Sequence, residues 1–176
     1  MSFVLLRALF ESGQQRGRFI YPIGGGSSVV NGMKWVTRNK PHVDRCASAW
    51  LIKRFIDKQA KFDFIRKEDP IPRASIAFTL PGADITPVEG KKTTYDILLK
   101  KYTVRDRGAI RIGKIVHDFE IDADENPNRV EMKETLGLCY VLRGLEPTSR
   151  SDHETIEKAM VVLDALHAVL KKESRR

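Results

Sequence analysis

The chain has 176 residues, 41% of them hydrophobic and 31% charged, with a formal net charge of +8. That is enough chain for one domain with a real core, and the balance excludes a disordered polymer. No apolar run approaches the roughly 20 residues of a membrane span, and two cysteines, Cys46 and Cys139, cannot build a disulfide scaffold or a four-cysteine zinc site.

Residues 1–32 differ from the rest. They hold 6 of the 12 glycines, three arginines and a single acid. Arg7 interrupts the apolar stretch from Phe3 to Phe10, which argues against a secretory signal. This segment reads as a flexible extension, or as sequence upstream of a start at Met33. Residues 33–171 read as one domain, and 172–176 as a basic tail.

Within that domain Lys34–Thr37 reads as a strand. Asp44 is expected to cap a helix to about Ile56, with Ala47, Trp50, Leu51 and Phe55 on one face. Phe62–Ile65 is the second strand and Ala74–Leu80 the third, stopped by Pro81-Gly82. Thr93 or Thr94 caps the next helix, whose face is Tyr95, Leu98, Leu99 and Tyr102. Asp106 opens another, carrying Ile112, Ile115, Val116 and Phe119. A fourth helix is expected from about Asn128 to Gly144. Ser151 and Glu154 have capping-box spacing before the last, which carries Ile156, Met160, Leu163, Leu166 and Leu170. The expected class is α+β with an α/β-like front: a three-stranded sheet covered by about five helices, with a helical C-terminal half.

Two constellations carry chemistry. Arg38 follows a strand and Arg45 lies in the first turn of a helix, with His42 and Asp44 between them. Two guanidiniums and free amide groups suit a tetrahedral dianion, with Asp44 as cap and orienter. The alternative is an ordinary capped helix with a surface salt bridge. The second constellation is His117, Asp118, Glu120, Asp122, Asp124 and Glu125, five acids in eight residues beside an imidazole. It could hold Mn, Fe or Zn and serve a metal-dependent oxidoreductase or hydrolase, with His117, Asp118, Glu120 and Asp122 as ligands. Its spacing fits no calcium loop, and the alternative is a solvated charge run.

The other candidates are weaker. His153 reads as surface and His167 as half-buried; both cysteines read as buried free thiols. No phosphate loop, dinucleotide fingerprint or dedicated nucleic-acid motif is present.

The run KWVTRNKPHVDRCASAWLIKRFID, Lys34 to Asp57, resembles the start of the chromate resistance protein B C-terminal domain family. Pro81-Gly82, Tyr95-Asp96, Ile115 to Asp118, Asp152 and Met160 to Leu166 are similar to later family elements, so the resemblance covers about 33–171. It implies a cytoplasmic binding, sensing or accessory module for a chromate-like oxyanion, working with a regulatory protein or an export pump. Arg38, Asp44, Arg45, Trp50, His117 and Asp118 are the candidate binding residues. Many members carry a histidine after Pro-Gly and a cysteine before the aromatic-Asp pair. Here those neighbourhoods read Thr86-Pro87 and Thr93-Thr94, which weakens the case for a transition metal.

Overall fold

The central strand, β1 (Lys34–Arg38), is apolar in its middle: Trp35 and Val36 are fully buried and Thr37 is 1% exposed. A strand covered on both faces reads as a continuous run rather than an alternation. In the computed structural model, which describes residues 32–123 and 129–173, β1 is flanked by β2 (Lys61–Ile65) and β3 (Ser75–Ala77) in the order β2-β1-β3, all parallel. Trp35 lies opposite Phe62 on one side and Ile76 on the other. The long extension at residues 1–31 and the basic tail beyond Glu173 lie outside the described residues, as do Asp124 to Asn128 and the side chain of Asp122.

Helix α1 (Val43–Leu51) continues as a π-helical turn, Ile52–Ile56, before the chain enters β2. This is the βαβ front that the sequence indicates. Helices α2 (Thr94–Lys101), α3 (Arg107–His117), α4 (Thr135–Leu145) and α5 (Asp152–Glu173) complete the fold, and α3 runs on as a π-helical segment, Asp118–Ala123. The expected faces are the buried ones. Tyr95 and Leu98 of α2, Ile112, Ile115 and Val116 of α3, and Ile156, Leu163 and Leu170 of α5 share one core with Trp50 and Leu51 of α1. Thr93 and Asp96 form a reciprocal capping box on α2, Asp106 accepts from the Ala109 N–H on α3, and Ser151 from the Glu154 N–H on α5.

Three boundaries depart from the sequence reading. Helix α1 begins at Val43 with His42 at the cap position, and Asp44 does not cap it. The third strand is only three residues long, because Ala74 and Thr79 on either side adopt left-handed backbone (φ 57° and 53°). Helix α4 starts at Thr135 rather than near Asn128. There the carboxylate of Asp118 accepts from the Glu131 and Met132 N–H groups and the Thr135 hydroxyl, holding the incoming chain in a turn.

Asp57, which ends the longest motif, fastens the entry to the sheet. Its carboxylate accepts from the N–H groups of Gly32 (2.8 Å), Met33 (2.9 Å) and Gln59 (3.0 Å) and from the Trp35 indole (3.1 Å). Burial alone would raise its pKa, but these donors outweigh that and leave it lowered.

Candidate functional site

The connectivity marks one place on the sheet. From β1 the chain passes through α1 to β2 on one side, then crosses to β3 on the other. The connections leaving the carboxyl ends of β1 and β3 lead into α1 and α2, whose first turns meet beside the sheet. The β1 exit is Arg38 to His42, leading into α1. The β3 exit passes Thr79, whose hydroxyl lies 2.9 Å from that of Thr94 at the start of α2. Both exits contain a non-glycine residue in left-handed backbone, Lys40 (φ 53°) and Thr79 (φ 53°). Such strain is stored preferentially at functional sites.

Asp44 joins the two exits. Its Oδ2 accepts from the Thr94 N–H and its Oδ1 from the Tyr95 N–H, each at 3.0 Å, with Ser48 Oγ at 3.3 Å. It thus caps α2 from the neighbouring helix, which is why it is not spent on its own. Burial raises its pKa against the pull of those donors.

The α1 N-terminus is cationic. Its first intrahelical bond is Cys46 N–H to His42 C=O (2.8 Å), so the N–H groups of Val43, Asp44 and Arg45 precede the ladder. Arg45 is 7% exposed and donates from Nη2 to the Lys40 carbonyl (2.6 Å). Among the described residues its Nε has no hydrogen-bond partner, and neither has Thr37 Oγ1 at the end of β1. Burial depresses the Arg45 pKa, and the like charge of Arg38 adds to that; Asp44 and Glu120 act the other way. His42 is lowered in the same manner, by burial and by Arg45. An under-compensated buried cation is costly unless an anion completes it.

The described side chains of the second constellation, His117, Asp118 and Glu120, turn to different partners. His117 Nδ1 pairs with Asp96 Oδ2 at 2.7 Å, and Asp118 turns inward to the approach to α4. Glu120 travels furthest: its Oε1 accepts from the Asp44 N–H at 3.2 Å, at the start of α1. The structure therefore brings the two constellations together through Glu120, not through His117 or Asp118. Among the described residues no group of three or more His, Cys, Asp or Glu side chains converges on a possible metal position. Trp50 is fully buried, its indole donating to Asp164 (2.8 Å) and its ring against Phe55 and His167, which makes it a core residue. Both cysteines are buried, and burial pushes each thiol up to about 12, which leaves them unreactive. Sequence reading missed Thr37 and the placement of Glu120, since neither has a local signature.

A cleft of about 600 Å³ is lined by the β1–α1 loop, the end of β2 and the start of α5. Its lining mixes Lys40, Arg150 and His153 with Asp63, Glu146 and Asp152. The mixture matches no single ligand charge.

Asp118 sets an acid limit on the region. Burial would raise its pKa, but the Thr135 hydroxyl and the Glu131 and Met132 N–H groups lower it below the ordinary value. A depressed carboxyl adds stability that is fully present above its unfolded pKa of about 4 and is lost as pH falls through the folded one. The expected result is an unfolding free energy that declines as pH drops below about 4. Asp118→Asn should reduce that slope in denaturant titrations at stepped pH. An unchanged slope would count against this assignment.

A three-stranded parallel sheet with a βαβ front and helices packed around one core defines an α+β domain. The family model described as "ChrB, C-terminal domain" matches residues 35–170, and the chain belongs to that family. It is 30% identical over 137 residues to Protein ChrB of Cupriavidus metallidurans, a stretch covering 77% of this chain and 40% of that relative. The chain thus corresponds to less than half of that protein's length. No solved structure matches the chain. Among the described residues no helix is long and apolar enough to cross a membrane.

Proposed function

We propose that this domain is a binding and sensing, or accessory, module of chromate-resistance type. It would act in the cytoplasm beside a regulatory protein or an export pump and recognise a tetrahedral oxyanion such as chromate. One observation carries the reading: the buried Arg45 guanidinium, with an unpartnered Nε, at the start of α1. Arg45 and the first amides of α1 would supply directed donors, and Arg38 a second positive charge. His42, at the cap position, would border the anion. Asp44 would be a positioning residue that fixes α1 against α2, since a carboxylate repels an oxyanion.

The test separates a site from a salt bridge. Arg45→Met keeps the aliphatic stem and removes the buried charge. Removing an incompletely paired buried cation is expected to leave stability unchanged or to raise it by about 1 kcal/mol. The same variant is expected to lose chromate binding by at least about tenfold in calorimetric titration. Arg38→Ala should weaken binding less. If Arg45→Met is strongly destabilised and still binds as the parent does, Arg45 is a structural residue and the reading fails.

A further inference from the structure

The start of α1 is already occupied by an anion of the protein's own. Glu120 lies on the π-helical Asp118–Ala123 segment, 76 residues from Asp44 in sequence, yet its carboxylate accepts the Asp44 N–H. It is also one of the negative charges that support the buried Arg45. A carboxylate at a helix N-terminus beside a guanidinium has the charge and the donors that a bound oxyanion would have. Even so, Arg45 Nε and Thr37 Oγ1, both more than nine-tenths buried, have no hydrogen-bond partner among the described residues. The Glu120 carboxylate takes the Asp44 N–H, and no hydrogen bond joins it to Arg45 Nε or Thr37 Oγ1. A tetrahedral dianion can face several donors at once.

We propose that Glu120 is an internal competing ligand, displaced from the α1 N-terminus when the oxyanion binds. This rests on the oxyanion reading above and adds its regulation. Glu120 sets the affinity threshold by occupying the donors of the empty site. Its displacement also gives binding a mechanical consequence, since it is carried on the segment that joins α3 to the approach to α4. Glu120→α1 contact and oxyanion–α1 contact are mutually exclusive, so occupancy of the site moves the Glu120 side chain off α1 while Asp118 keeps the segment fastened to the approach to α4. π-Helical turns inside α-helices recur at functional positions, in keeping with such a role.

The experiment is calorimetric titration of the full chain with chromate, using sulfate as a second tetrahedral probe, for the parent, Glu120→Gln and Glu120→Ala. Gln keeps the shape and removes the charge, and thermal melts establish that each variant is folded. Loss of a competing charge-assisted hydrogen bond is expected to tighten chromate binding by about tenfold in both variants. The amide resonance of Asp44 should shift on saturation in the parent, as its acceptor changes from carboxylate to oxyanion. Parent binding with equal or weaker binding by the variants would overturn this proposal and leave the oxyanion reading standing. Absence of chromate binding in all three proteins would overturn both, because the variants expose the donors that Glu120 covers.

Discussion

Replacing Asp57 by alanine is expected to cost about 4 kcal/mol of stability, the largest effect of any single change outside the apolar core. The carboxylate is fully buried and accepts four hydrogen bonds, three from backbone N–H groups and one from the Trp35 indole. Truncation removes these charge-assisted bonds together and leaves the Trp35 indole N–H unsatisfied in the interior, where each orphaned donor costs about 1–3 kcal/mol. It also frees the junction at which the chain enters β1, the central strand. Asp57→Asn keeps one acceptor oxygen but turns an amide toward donors, so it should recover less than half of the loss. Denaturant titration with both variants checks this, and an alanine variant within about 1 kcal/mol of the parent would contradict it. The residue closes the longest family-like motif, yet its contribution is architectural.

Asp44→Ala is expected to destabilise the fold by about 3 kcal/mol, through α2 rather than through α1. Thr94 and Tyr95 are fully buried, so their N–H groups cannot turn to water when the Asp44 carboxylate is removed. The loss of a negative charge from the positive end of α2 adds to the cost. Folded Asp44→Asn protein should bind chromate within about threefold of the parent, because asparagine keeps an acceptor for the α2 amides and Asp44 does not face the anion. If stability is untouched while binding is lost, Asp44 is a direct ligand and the present assignment of its role is wrong. Stability is read from melting temperature and binding from titration well below it.

The elements with a periodic signal were legible from the residues alone. Trp35-Val36 at the centre of the sheet, the Tyr95–Tyr102 face and the spacing from Ile156 to Leu170 each record burial directly, because period and cover are local properties. Caps were legible where donor and acceptor are three residues apart, as for Thr93 with Asp96. The site was only half legible. Arg38 and Arg45 fall where a strand meets a helix, which local sequence reveals. The roles of Asp44, Asp118 and Glu120 depend on backbone N–H groups elsewhere in the chain, 50, 13 and 76 residues away. Every residue but proline offers such a group, so composition and spacing do not reveal which carboxylate takes which amide. That ambiguity made Asp44 look like the cap of α1 and hid the partners of Asp118 and Glu120. The short third strand was obscured because Ala74 and Thr79 adopt left-handed backbone, which neither residue type signals.

A tetrahedral oxyanion is expected to complete the buried Arg45 at the start of α1. The position of chromium in crystals of the protein with chromate, located by anomalous scattering, tests this. The expected result is a chromium peak with a chromate oxygen in hydrogen-bond reach of Arg45 Nε, with the Glu120 carboxylate moved away from the Asp44 N–H. A fully occupied peak elsewhere, in the cleft lined by Lys40 and Arg150 for example, with Glu120 still on Asp44 and Arg45 Nε still unpartnered, would contradict it.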